Sequence, residues 1–264
     1  VDLFKAHALL ISAAREAGLI ALKFFRTRDI NPSSKPDQSP VTAADLAIDA
    51  YLIERLTSFC PDIGWLSEER PDSADRLSKR RVWIVDPIDG TRGFLAESDE
   101  WVISLALVED GRPVAAVLFR PATDDLYDAV LGGGSCLNGQ RLSVSDGPLE
   151  SIRIFTGPKK ILQQSASEMP RAIWLRSSAS LALRIALLAS GTIDTALVKA
   201  GARDWDLAAA DLILSEAGGC LTTSDGAGLV YNRSWIRHPA LVSAGPRRHA
   251  ALVSAFRTGI LHFN

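Results

Sequence analysis

The chain of 264 residues carries 29 Lys and Arg against 31 Asp and Glu, a formal net charge of -2, with 47% hydrophobic and 23% charged residues. These values are ordinary for a globular protein with room for a large core, and the absence of a basic excess argues against a nucleic-acid partner. No run of about 18 apolar residues is present, so no membrane span is expected. Residues 1–30 lack the basic start, apolar run and small-residue cleavage site of a secretory signal. Cys60, Cys136 and Cys220 are widely spaced, odd in number and without a C-x-x-C pair, as expected of reduced, buried thiols in a cytoplasmic protein.

Leu3, Leu10, Ala14, Ala17, Ala21 and Phe24 recur at helical spacing and predict an opening amphipathic helix. Asn31-Pro32-Ser33-Ser34 and Lys35-Pro36-Asp37-Gln38-Ser39-Pro40 read as a turn-rich loop. Thr42 is placed to N-cap a second helix over about residues 43–59, and Asp45 falls in its first turn, where the helix dipole favours an anion. Residues 81–85 read as a short buried strand that stops at Asp86-Pro87, because proline cannot continue the ladder. Strands over 101–108 and 113–119 are joined through Asp110-Gly111, a strong hairpin signal. A strand over 126–131 runs into Gly132-Gly133-Gly134, read as a turn. Further on, apolar strands near 152–155, 172–175 and 241–243 alternate with helices near 180–189, 205–217 and 247–257. The expected fold class is α/β (α+β), with an α+β part over residues 1–145 and an α/β part over 146–264.

The most informative stretch is Asp86-Pro87-Ile88-Asp89-Gly90-Thr91. A carboxylate at a strand end is held rigidly at the edge of a core. The Pro-Ile-Asp-Gly turn brings the second carboxylate back towards the first, and the Ile88 carbonyl is free of the sheet. Hard cations such as Mg²⁺ take oxygen ligands of this kind. A helix starting at Thr91 would aim the amides of Gly90 and Thr91 outward as a phosphate cradle. Glu68 and Glu69, after the apolar Ile63-Gly64-Trp65-Leu66, and Asp206, at the start of an alanine-rich helix, are further acids. Taken singly, these and Asp45 would be a solvated charge pair and two helix caps. The four scattered histidines share no ligand spacing, and the six tryptophans read as core, with Trp205 beside the acids.

Ser39-Pro40-Val41-Thr42-Ala43-Ala44-Asp45, Glu68-Glu69, Asp86 to Thr91, and Trp205-Asp206 with Glu216-Ala217-Gly218-Gly219 together resemble the inositol monophosphatase superfamily, over about residues 5 to 255. This is the lithium-sensitive, Mg²⁺-dependent phosphatase group, which includes inositol monophosphatases and 3′(2′),5′-bisphosphate nucleotidases. The resemblance implies a layered αβαβα sandwich, commonly a homodimer, acting on a small phosphate ester. It implies two or three Mg²⁺ ions. Glu68, Asp86 and the Ile88 carbonyl would hold one; Asp86, Asp89 and Asp206 would hold a second, with Asp86 bridging; a weaker third would sit near Glu68. Asp45 and Thr91 would polarise the attacking water, and Glu68 would assist. The physical logic stands beside the resemblance. A phosphate monoester is a dianion that repels a nucleophile, and two Mg²⁺ ions about 4 Å apart clamp the attacking and leaving oxygens.

For the substrate, Cys136-Leu137-Asn138-Gly139-Gln140-Arg141-Leu142 looks like inositol monophosphatases. Lys35, ten residues before Asp45, and Arg92-Gly93-Phe94 resemble the nucleotidases instead. Where inositol monophosphatases carry a Glu that accepts from inositol hydroxyls, gap-free counting from Asp206 puts Lys199. A cation cannot accept those bonds and suits a second anionic group, and Arg184 would add to the same basic surface. Gly90, Thr91, Arg92 and Asp206 complete the expected substrate contacts. The two enzyme readings are therefore an inositol-1-phosphatase and a 3′-phosphoadenosine 5′-phosphate nucleotidase. A non-catalytic binding protein on the same fold is the reading of another class, and the intact acid set argues against it.

Overall fold

The computed structural model describes residues 2–26, 33–34, 40–164 and 169–263. Lys35 and Ser39, with most of the expected turn-rich loop, lie outside the described residues; Ser33–Ser34 (β1) and Pro40–Val41 (β2) at its ends pair antiparallel.

The first layer is two helices, α1 (Leu3–Phe24) and α2 (Ala43–Thr57). Ala6, Leu10, Ala13, Ala14, Ala17 and Ala21 form the buried stripe of α1, and small side chains there let it lie close to the sheet below. That sheet has seven strands in sequence order: β3 (Gly64–Ser67), β4 (Arg81–Asp89), β5 (Val102–Glu109), β6 (Arg112–Arg120), β7 (Asp125–Val130), β8 (Gly134–Leu137) and β9 (Gln140–Arg141). All neighbours are antiparallel except β3 with β4. A short helix, α3 (Thr91–Leu95), follows β4. The Asp110-Gly111 hairpin forms as expected, both residues having positive φ, the geometry of a tight two-residue turn.

Strand alternation supplies two cores. On β5, Ile103, Leu105 and Leu107 face α1 and α2, while Val102, Ala106 and Val108 face the opposite layer. That layer is α5 (Leu181–Ala189) and α6 (Asp204–Glu216). Leu207, Ala208, Ala209, Ala210, Leu212, Ile213 and Leu214 are all buried, so α6 is apolar around most of its circumference, as a helix between two sheets must be. The second sheet has the order β11 (Ile173–Leu175), β10 (Ile154–Thr156), β12 (Thr195–Val198), β14 (Leu241–Ala244), β13 (Cys220–Thr223). β10 runs parallel to β11 and β12, and the other pairs are antiparallel. Its outer face packs Leu197, Val242 and Ala244 against Leu252 and Val253 of α7 (Pro246–Arg257), with Ile161 of α4 (Lys159–Gln164) in the same cluster. The layers are thus αβαβα, a mixed α/β architecture with helices flanking and separating the sheets.

Several expectations change. β4 does not stop at Val85 but pairs with β5 to Asp89, with one extra residue between the Asp86–Ser104 and Asp89–Val102 pairs. Pro87 is tolerated because it sits in that bulge, where no ladder donor is needed. β12, β13 and α4 were not legible: each is six residues or shorter, too brief for a periodic signal. The three cysteines are free but half-buried. Trp235 is 72% exposed, against the expectation that every tryptophan is core. Among the described residues no helix is long and apolar enough to cross a membrane.

Candidate metal centre

The bulge in β4 has a local cause and a functional consequence. The Asp86 side chain accepts from the Ile88 amide through Oδ1 at 3.0 Å, which closes the turn around Pro87 and turns the chain back on itself. Gly90 then takes φ +98, and a Cβ there would lie 2.7 Å from the Glu100 carbonyl oxygen, so only glycine fits. Phe94 anchors α3 from beneath, its ring 4.9 Å from that of Trp101 in an edge-on contact. The segment from Asp86 to Phe94 is thereby tied at both ends.

Two other acids reach the same region from helix N-termini. Asp45 and Asp206 each occupy the third position of their helices, and each accepts through Oδ2 from the amide of the capping residue, Thr42 N–H for Asp45 and Arg203 N–H for Asp206, both at 2.7 Å. The Thr42 hydroxyl also donates to Asp45, at 2.6 Å. Asp45 Oδ1 is 3.5 Å from the Thr91 hydroxyl, which also lies 3.2 Å from the Ile88 carbonyl. The capping role and a second role of these acids therefore coexist, one oxygen for each.

The carboxylates of Glu68, Asp86 and Asp206 each present an oxygen within 4.8 Å of the other two. Asp86 is 1% exposed, and no donor of the described residues reaches its Oδ2. Burial, with the negative charge of Glu68, Asp89 and Asp206, pushes the Asp86 carboxyl well above the usual range. Burial and the charge of Asp89 push Asp206 up to about 8. Asp89 is raised to about 6 by burial, against the opposing hydrogen bonds from Ser180 and Ala182. A buried carboxylate oxygen without a donor, facing other carboxylates, fits a hard divalent cation. Asp89 lines the same cavity, but its Oδ2 is engaged by the Ser180 hydroxyl and the Ala182 amide, at 2.7 Å for the latter, at the start of α5. It stands outside the triad of mutually close carboxylates, where the expectation grouped it with Asp86 and Asp206.

The cavity measures 490 Å³, and Ile88, Gly90, Thr91 and Arg92 line it beside the acids. Arg203 and Arg237 line it too, and sequence reading singled out neither. They are brought together by a backbone bridge between Arg203 and Arg237, 34 residues apart in the chain, which no local pattern signals. Lys199 and Arg184 do not line this cavity. They lie in an adjoining one of 370 Å³, which shares Leu181 with it. Lys199 is exposed, whereas Arg184 is half-buried, donates to the Ser177 hydroxyl at 2.8 Å, and has no acceptor for its buried Nε among the described residues.

Asp49 is a further residue that sequence reading missed. One turn beyond Asp45 on α2 and 3% exposed, it accepts from the Ser67 hydroxyl at 2.6 Å and pairs with Arg70 Nε at 2.5 Å. Those two residues bracket Glu68 and Glu69, and the Glu68 amide donates to the Val85 carbonyl at 3.2 Å. Asp49 so holds the segment that presents Glu68.

Residues 3–260 match the model of the inositol monophosphatase family. The chain belongs to the inositol monophosphatase family. A 3′(2′),5′-bisphosphate nucleotidase CysQ from Aggregatibacter actinomycetemcomitans is 31% identical over 85% of this chain and 86% of its own. An inositol-1-monophosphatase from Rhizobium meliloti is 34% identical over 83% and 86%. Among solved structures, the extragenic suppressor protein suhB from Bartonella henselae superposes with a TM-score of 0.83 at 27% identity, covering 97% of this chain and 99% of that one. As an inositol monophosphatase family member with a clustered acidic triad, the protein is a metal-dependent hydrolase in general type.

Proposed function

We propose that the protein is a Mg²⁺-dependent phosphomonoesterase that hydrolyses a small phosphate ester. The observation that carries this reading is the convergence of Glu68, Asp86 and Asp206, with no donor among the described residues at the buried Asp86 Oδ2. Glu68, Asp86, Asp89, Asp206 and the Ile88 carbonyl would hold two Mg²⁺ ions, with a weaker third near Glu68. When bound, the ions neutralise the phosphate dianion and make water a better nucleophile. The chain's own residues do the rest. Thr91 and Asp45, 3.5 Å apart, form an acceptor pair that orients a water and draws its proton towards Asp45. Glu68 assists from beside Asp86. The Gly90 and Thr91 amides and the Arg92 side chain meet the phosphate oxygens. Residues 1–145 supply all of these except Asp206, which the part from 146 onward brings.

Two leaving groups suit this chemistry, that of an inositol-1-phosphatase and that of a nucleotidase for 3′-phosphoadenosine 5′-phosphate. Charge favours the second. Lys199 and Arg184 face a cavity that opens beside the metal cavity at Leu181, and a second anionic group would be held there. Inositol hydroxyls would find donors there but no carboxylate acceptor. The test is kcat/KM on both substrates, side by side, with and without Mg²⁺. Turnover that survives complete removal of divalent ions would end the phosphomonoesterase mechanism; a preference for inositol 1-phosphate would end the nucleotidase reading alone. Inhibition by Li⁺ and a homodimer in solution follow from the same family reading, checked by inhibitor titration and by light scattering.

A further inference from the structure

A third cavity, of 760 Å³, adjoins the metal cavity and shares Gly201 and Arg237 with it. Arg233, Trp235 and His238 also line it. Trp235 is 72% exposed, while the other five tryptophans are buried or half-buried. An indole left in water forgoes the stabilisation that burial gives, so its exposure beside a cavity of this size calls for a ligand face.

The wall that carries Trp235 is braced rather than loose. Asp204, 1% exposed and two residues before Asp206, accepts from the Asn232 amide at 2.7 Å and pairs with His238 Nε2 at 2.8 Å. The Asp204 amide donates to the Ile236 carbonyl at 3.0 Å, the His238 amide to the Ala202 carbonyl at 2.7 Å, and the Gly201 amide to the His238 carbonyl at 2.9 Å. The 232–238 segment is therefore stapled to the turn that launches α6 and, with it, Asp206. A platform fixed relative to the reacting centre needs little ordering when a ligand arrives.

We propose that this cavity is a ring-binding subsite for the leaving group, with Trp235 as its stacking platform and Arg237 as the cation at its junction with the metal cavity. This rests on the phosphomonoesterase reading and deepens it. The ligand class is a planar heteroaromatic ring on an anionic ester. An indole face stacks such a ring whatever its hydrogen-bonding edge, and a guanidinium adds a stacking plane and a positive charge. A nucleoside carries its base and its 5′ carbon on different sugar atoms, so base and second anion can leave the metal cavity through different openings. The base takes the Trp235 side and the anion the Lys199 side.

The experiment compares Trp235→Ala and Trp235→Phe with the unaltered protein. One readout is the ratio of kcat/KM for adenosine 3′,5′-bisphosphate to that for glycerol 2-phosphate, which has no ring. The alanine variant is expected to lower the ratio about tenfold, within the range of one base–aromatic stack, chiefly through KM, and the phenylalanine variant to restore most of it. A ratio unchanged by Trp235→Ala, or a loss that phenylalanine fails to rescue, would overturn the subsite. The second readout is calorimetric binding of 5′-AMP in Mg²⁺ buffer, which needs no turnover. If neither ester is hydrolysed the phosphatase reading fails, and the subsite is still decided: a weaker 5′-AMP affinity in the alanine variant supports it, and equal or absent binding overturns it.

Discussion

Asp86 is 1% exposed, its Oδ1 closes a turn with the Ile88 amide, and the bulge that carries it is packed against the segments that bring Glu68 and Asp206. Lys199 and Trp235, which line the two adjoining cavities, are exposed. The difference separates two kinds of requirement. Acids that must share buried space have to be positioned by the fold to a fraction of an ångström, since their mutual repulsion has to be met by a cation. Leaving-group contacts work in water, one at a time, and each can be exchanged without disturbing the core. The acid cavity should therefore be intolerant and general to the chemistry, the side cavities tolerant and specific to the substrate.

The sharpest way to break that contrast is to neutralise one acid. Asp86→Asn or Asp206→Asn is expected to lower kcat about 10³-fold, the equivalent of about 4 kcal/mol of lost charge stabilisation, with the fold retained. Near-normal turnover at saturating Mg²⁺ would refute the acid cavity as the reacting centre. Next in size is Asp49→Ala. Freeing Ser67 and Arg70 loosens the Glu68 segment, and the Mg²⁺ concentration for half-maximal activity is expected to rise about tenfold or more, in the range found for residues that orient metal ligands. An unchanged Mg²⁺ titration with reduced stability would make Asp49 a purely structural residue.

The pH dependence of stability sharpens the same comparison. Asp89 and Asp206 have raised values in the folded protein, about 6 and about 8. Between the ordinary carboxylate range, near pH 4, and pH 8 the folded chain therefore binds more protons than the unfolded chain. Without metal these groups make stability fall as pH rises through that window. The expected outcome is a Tm that, in EDTA, falls as pH rises from 5 to 8. Mg²⁺ takes the place of the protons, so excess Mg²⁺ should flatten the slope. Thermal melts in EDTA and in Mg²⁺ from pH 5 to pH 8 test this, and parallel curves would contradict it. The smallest effect belongs to the side cavity: Lys199→Glu is expected to move the kcat/KM ratio about tenfold towards inositol 1-phosphate with little change in Tm. No shift would remove the charge argument for a second anion.

How much of this was legible in the sequence depended on the range of the causes. Asp86, Ile88, Asp89, Gly90 and Thr91 are neighbours in the chain, so the turn that gathers them leaves a compact pattern. Thr42 with Asp45 is likewise a local cap, and the strands from 102 to 130 alternate long enough to be read. Asp49 gave no signal, because its partners Ser67 and Arg70 lie a loop and a strand away. Arg237 gave none because its place in the cavity depends on a bridge to Arg203. Residue counting gave Lys199 as a substrate contact, with Arg184 on the same basic surface, and only the fold puts the two together in a cavity beside the acids.

By itself the sequence determined the chemistry of the parts: which acids stand at strand and helix ends, that they outnumber any nearby cations in the motif, and that a glycine must follow Asp89. Tertiary structure alone decided which oxygens face one another, because Glu68, Asp86 and Asp206 meet only when β3, the β4 bulge and the start of α6 are packed together. The reason is one of distance. Hydrogen bonds within a turn or a cap are set by residues a few positions apart, whereas the convergence of charges across two layers is set by the packing of apolar faces that hold those layers at a fixed spacing.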